Sequence, residues 1–142
     1  MKSSAIICLG NRFVAEDALG CRVFDYLAGT PYPAEIEVID GGLCGLDLLS
    51  LMEGRPRVVF ADAVSGMAEA GEVVVLEREA VAAYARNYGH GAGLPYLLGM
   101  LPQACRPPLP QVTLVGAEGP VDEATVQALA SRCLEIAAHE TA

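Results

Sequence analysis

Positive charge is what this sequence has least of. Its 142 residues carry 9 Lys and Arg against 18 Asp and Glu, a formal net charge of -9. Nucleic acids and anionic membranes are recognised through clustered basic side chains. No such cluster is present, so neither is expected as a partner. No apolar run approaches the ~18 residues of a membrane span. Met1-Lys2-Ser3-Ser4 leads straight into an apolar stretch without a signal-peptide pattern, so a cytoplasmic location is expected. The five cysteines, Cys8, Cys21, Cys44, Cys105 and Cys133, are odd in number and form no C-x-x-C pair. That gives no zinc site and suits reduced thiols rather than a disulfide framework. A G-x-G-x-x-G fingerprint and a P-loop lysine are also missing, which argues against a phosphate cradle.

What is present is apolar. Hydrophobic residues make up 53% and charged residues 19%, enough for one compact domain over residues 1–142 with a core of its own. The chain is organised around residues 6–20. Ile6 to Leu9 is an unbroken apolar run, suited to a strand buried on both faces of a parallel sheet. Gly10-Asn11 breaks it. A short loop then leads to Glu16 and Asp17, and Leu19, Val23 and Leu27 recur at helical spacing. Glu35 to Ile39 reads as a second strand closed by Asp40-Gly41-Gly42. Residues 45–52 read as a short apolar helix, and Arg57 to Ala61 as a third strand finishing at Asp62.

Val73 to Glu77 is a fourth strand, and the short connection after Asp62 predicts that it runs antiparallel beside its predecessor. A helical turn or two over 79–86, a glycine-rich loop over 87–93 and a helix over 94–101 come next. Residues 102–110 carry four prolines and read as irregular. Gln111 to Gly116 is the last strand, and Asp122 can cap a final helix buried along Val126, Leu129, Ala130, Cys133 and Ala137. The fold class is therefore α/β: a three-layer α/β/α domain with a mostly parallel sheet carrying one antiparallel strand.

In open sheets of this kind, ligands bind beyond the carboxyl ends of the strands. Asp17, Asp40 and Asp62 all fall there. Capping and dipole compensation of the following helix also fit Glu16 and Asp17. Of the two histidines, His139 lies near the C-terminus and reads as a solvated helix end. His90 sits between Gly89 and Gly91, in a loop with little apolar packing of its own. Two aspartates and a histidine offer oxygens and an imidazole nitrogen, a set suited to a borderline divalent metal. Cys44 lies in a glycine-rich loop, but its acidic surroundings would blunt a thiolate nucleophile. Ser65 has no G-x-S-x-G context.

Three motifs, in order, carry a resemblance. They are GNRFVAEDALGCR over Gly10 to Arg22, DGGLCGLDLL over Asp40 to Leu49, and VVFADAV over Val58 to Val64, with HGAGL from His90 to Leu94 further on. In these the chain resembles the hydrogenase maturation proteases, endopeptidases that trim the large subunit of nickel–iron hydrogenases. Leu43 stands where that family usually has threonine, and the surroundings of His90 are richer in glycine.

The resemblance implies that Asp17, Asp62 and His90 form both the metal-engaging and the catalytic set. It implies no cofactor of the protein's own, the metal being nickel already inserted in the hydrogenase precursor, although other divalent ions could occupy the site. The partner it implies is the nickel–iron hydrogenase large-subunit precursor, cut at its C-terminal extension by a protease expected to be a monomer. A carboxylate general base and a metal-polarised water both fit the hydrolysis. A non-catalytic nickel-sensing or docking module for metalloenzyme assembly is the alternative, and an α/β protein binding a cationic small molecule is a second.

Overall fold

A strand that is apolar on both sides has to be covered on both sides, and that places residues 4–9 at the middle of the molecule. The computed structural model describes residues 4–42, 48–64, 69, 71–81, 107, 109–118 and 122–138. The described strands are β1 (Ser4–Leu9), β2 (Ile36–Gly42), β3 (Arg57–Ala63), β4 (Val73–Glu77) and β5 (Gln111–Ala117). The helices are α1 (Leu19–Ala28), α2 (Leu48–Met52) and α3 (Glu123–Ala138), with a single 3-10 turn at Ala15–Asp17. Residues 78–81 are helical as well. The helix expected over 94–101, and the rest of that expected from 79 to 86, lie outside the described residues.

The five strands form one sheet in the order β2-β1-β3-β5-β4. β1 pairs in parallel with both β2 and β3, and β3 pairs in parallel with β5. Along β1 the side chains alternate between two apolar clusters. Ala5, Ile7 and Leu9 pack with Leu48 and Met52 of α2, Phe60 and Val81. Ile6 and Cys8 pack on the other face with Leu19, Val23 and Leu27 of α1 and with Leu129, Ala130 and Cys133 of α3. Helices thus cover both faces, and the expected α/β class with a mostly parallel sheet holds.

Burial follows position in the sheet. The interior strands β1, β3 and β5 are buried along most of their length, whereas the edge strands β2 and β4 are only half-covered. This explains the one topological correction. β4 runs antiparallel, as the short connection predicts, but it does not lie beside β3. It pairs with β5, Val73 opposite Ala117 and Glu77 opposite Thr113, so β5 separates it from β3. β5 is buried from Val112 to Ala117 and requires an interior slot. The half-exposed β4 suits an edge.

Two polar devices close the ends. At the amino edge, buried Arg55 donates to the carboxylate of Glu37 at 2.6 Å and to the carbonyl of Leu51 at 2.6 Å, tying the end of α2 to β2. At the start of α3, Asp122 Oδ1 accepts the Thr125 amide at 2.8 Å. Those amide and hydroxyl donors hold its carboxyl below the usual aspartate range. This is the cap read from the sequence.

At the carboxyl edge the tolerance is narrowest at Gly20, in the first turn of α1. A Cβ there would overlap the Leu9 carbonyl oxygen and stand 2.7 Å from the carbonyl oxygen of Ala61. Both obstacles are backbone of central strands, which cannot step aside as a side chain would. Gly20→Ala is therefore expected to destabilise the fold by about 1–3 kcal/mol or more. Urea unfolding of the two proteins measures it, and an unchanged midpoint would show that α1 has room to lift.

Candidate functional site

The loop after β1 is built on its own backbone rather than on packed side chains. Gly10 has φ 140°, a conformation that L side chains rarely adopt, and a Cβ on it would overlap the Asp17 carbonyl oxygen. Its amide donates to the Gly42 carbonyl at 2.8 Å, tying the loop to the end of β2. Asn11 organises the turn beyond it. Its amide donates to the Asp17 carbonyl at 2.9 Å and to Asp17 Oδ2 at 3.2 Å. Its side-chain oxygen accepts the Phe13 amide at 3.0 Å, and its carbonyl accepts the Val14 amide at 3.1 Å. The Asp17 amide then donates to the Val14 carbonyl at 2.9 Å. Backbone and side chain of Asp17 are thus both held.

This geometry decides against capping for Asp17. Glu16 and Asp17 lie in the 3-10 turn, and α1 begins only at Leu19, with Ala18 at its N-cap and no side-chain cap bond. The Asp17 carboxylate turns back to Asn11 instead. The side chain of Glu16 lies outside the described residues.

Asp62, near the end of β3, is partly buried. Its Oδ1 accepts the Ala63 amide at 2.8 Å. Burial pushes its pKa up from 3.8 to about 7; the Ala63 hydrogen bond opposes that rise and the charge of Asp17 adds to it. The 3-10 turn that carries Asp17 packs against β3, so the two aspartates, from separate motifs, lie on adjoining elements. Each spends one oxygen on a backbone amide. Asp17 Oδ1 and Asp62 Oδ2 make no hydrogen bond among the described residues. Two carboxylates so held repel one another, and a cation between them would relieve both.

The third strand-end aspartate stands apart. β1 lies between β2 and β3, so Asp40 and Asp62 are not on adjacent strands. Asp40 is exposed, accepts the Gly42 amide at 3.2 Å and lies 4.0 Å from the Arg12 guanidinium. Arg12 donates to both carboxylate oxygens of Asp25, at 3.1 and 3.4 Å, and that hydrogen bonding raises its pKa. The sequence reading missed this role of Arg12; a cation inside an acidic motif was the available signal.

His90, Cys44, Ser65, Leu43 and His139 lie outside the described residues, so only the two aspartates of the Asp-Asp-His set fall within them. Among the described residues no group of three or more His, Cys, Asp and Glu could hold a metal ion. Cys8, Cys21 and Cys133 are free and buried. Burial raises all three thiols, Cys133 to about 12, which makes them packing residues rather than nucleophiles.

Comparison with known proteins bears on the same elements. A family model described as HycI, hydrogenase maturation protease, matches residues 21–132, a span that includes Asp62 and His90 and begins after Asp17. The hydrogenase 2 maturation protease of Escherichia coli K12 is 31% identical over 100 residues, 68% of this chain. The match spans 61% of that relative's length. The hydrogenase maturating endopeptidase HybD from Escherichia coli superposes with a TM-score of 0.70 at 29% identity, covering 96% of this chain and 89% of that one. The solution structure of an endopeptidase from Escherichia coli gives 0.74 at 28% identity, with the same coverage.

The raised pKa of Asp62 has a consequence for stability. In the unfolded chain the group titrates near 3.8 and in the folded protein near 7. Below the lower value both states hold the proton and Asp62 costs the fold nothing. As pH rises through the window only the unfolded state releases it, and stability falls until the folded group also ionises. Asp62→Asn removes this dependence. Relative to wild type it is expected to be more stable at pH 8, by up to about 4 kcal/mol, and by much less at pH 5. Urea titrations of both proteins at the two pH values provide the comparison. A difference that does not change with pH would contradict the assigned shift.

Proposed function

The chain belongs to the hydrogenase maturation proteases, and from that premise we propose that it is an endopeptidase acting on a nickel–iron hydrogenase large-subunit precursor. It removes the precursor's C-terminal extension after nickel has been inserted. The nickel belongs to the substrate, and the protease keeps no metal of its own. It works as a monomer in the cytoplasm. What supports this reading is that the 3-10 turn carrying Asp17 packs against β3, the strand that carries Asp62, with the charge of Asp17 adding to the rise in the Asp62 pKa.

Division of labour comes from the donor set. Asp17 and Asp62 supply carboxylate oxygens, and His90, matched by its motif, supplies an imidazole nitrogen. Three ligands, two of them carboxylates, make an open and weak site rather than a closed cage. Such a site reads a metal that other ligands already hold. Because a ligating carboxylate must be ionised, engagement of Asp62 competes with its proton and weakens as pH falls below about 7. The same pKa lets Asp62 exchange a proton near neutral pH, as a general base requires.

The test is mass spectrometry of precursor incubated with the protein. Nickel-loaded precursor is expected to lose its C-terminal extension, and nickel-free precursor to stay intact. Asp17→Ala, Asp62→Ala and His90→Ala should each slow trimming by about 100-fold or more while leaving the circular dichroism spectrum unchanged. Cys44→Ser should retain activity. Binding of loaded precursor without any mass loss would favour the non-catalytic docking module. Trimming of nickel-free precursor would remove metal reading from the scheme.

A further inference from the structure

The turn that delivers Asp17 also displays an apolar side chain that the fold does not use. Phe13 is 91% exposed, and Val14 beside it is 41% exposed. Single exposed apolar residues are ordinary on protein surfaces. Phe13 differs in how it is held. Its own amide donates to Asn11 Oδ1, and the next amide donates to the Asn11 carbonyl. The preceding residue, Arg12, is fixed through Asp25 at the flank of α1. The last residue of the same segment, Asp17, is tied to Asn11 and Val14. Because the backbone of the turn is already ordered, a partner that covers the ring has only the side chain left to immobilise. In interfaces a few large side chains, aromatics prominent among them, carry most of the binding energy once a partner pocket buries them.

The surrounding charge limits what the partner can be. Asp17, Asp25, Asp40 and Asp62 lie on the elements around this turn, Arg12 is already shared between Asp25 and Asp40, and the whole chain carries -9. A partner surface that meets Phe13 must set basic rather than acidic groups against this rim.

We infer that Phe13, on the Asn11-anchored turn that ends at Asp17, is the hydrophobic anchor that docks the hydrogenase precursor, through an apolar pocket flanked by basic residues. The inference rests on the function proposed above and deepens it. The anchor and the metal-reading carboxylate share one short segment, Gly10 to Asp17, so seating the ring places Asp17.

The experiment measures binding and cleavage separately. Nickel-loaded precursor is immobilised, and the affinities of wild type, Phe13→Ala, Phe13→Leu and Asp25→Ala are measured at 50 mM and 300 mM salt, conditions chosen to bracket a Debye length of about 10 Å. Phe13→Ala is expected to weaken binding by about 10-fold or more, Phe13→Leu by much less, and wild-type binding to weaken at the higher salt. In the cleavage assay the loss in Phe13→Ala should fall on KM. Asp25→Ala, which frees Arg12, should weaken binding without touching the ring. The melting temperature of Phe13→Ala should match wild type, since the ring packs in neither core cluster.

Wild-type binding that depends on Phe13, without cleavage, would keep the anchor and discard the protease reading. Cleavage and binding unchanged in Phe13→Ala would overturn the anchor and keep the protease reading. Absence of both binding and cleavage in wild type would overturn the two together.

Discussion

The close approach of α1 to the carboxyl ends of β1 and β3 is the constraint on which the rest of this structure depends. Where the carbonyl oxygens of Leu9 and Ala61 stand, residue 20 has no space for a side chain. With Gly20 seated there, Leu19 and Cys21 sit in the core beside it. The loop between Gly10 and Ala18 must then close a short gap between a strand end and a helix start. It does so by a compact turn on Asn11 instead of a wide excursion, and that turn carries Asp17 back over the sheet edge toward Asp62. A local steric fact at one glycine thereby fixes where the segment carrying Asp17 must rejoin the fold.

The site is held by backbone amides and the core by apolar area, and the two are kept apart. Every residue of β1 is buried, yet its loop places few apolar groups inside. The amides of Asn11 and Ala63 each satisfy one carboxylate oxygen of Asp17 and Asp62, which lowers the cost of placing charge at the rim of a low-dielectric core without removing it. The residual cost appears as the raised pKa of Asp62. A fold selected for stability alone would have placed a neutral residue at the end of β3, because buried ionisable groups with a like-charged neighbour are expensive. Such groups collect at functional sites.

Much of this was legible in the chain. The unbroken run Ile6 to Leu9 and the capped final helix were visible because burial on two faces and helical spacing leave simple patterns. The bounds of β4 were also readable from its composition, but its neighbour was not. Pairing is decided by which strand needs an interior position, and β5 competes for it from much further along the chain. Asp17 and Asp62 could be singled out by type and motif. Their mutual influence could not, since it depends on how Gly10 and Asn11 fold the loop back. Arg12 escaped notice for the same reason: its partners Asp25 and Asp40 belong to a helix and a strand that only the tertiary fold brings together.

The acidity of the chain gains a specific meaning from this arrangement. Net charge alone is a weak pointer to partners, because it does not say where the charge lies. Here the aspartates around the turn are neutralised unequally. Arg12 takes up Asp25 and reaches Asp40, while among the described residues Asp17 and Asp62 receive only neutral amides. The cation of the loop is thus directed away from the pair that the family motifs mark. Had it paired with Asp62 instead, the carboxylate would be held ionised by the protein itself, and an incoming metal would have to displace a guanidinium. Leaving that pair to amides keeps it open to a cation from outside. The loop's own ion pair thus fixes the turn, and the Asp17 and Asp62 carboxylates are left to neutral amides.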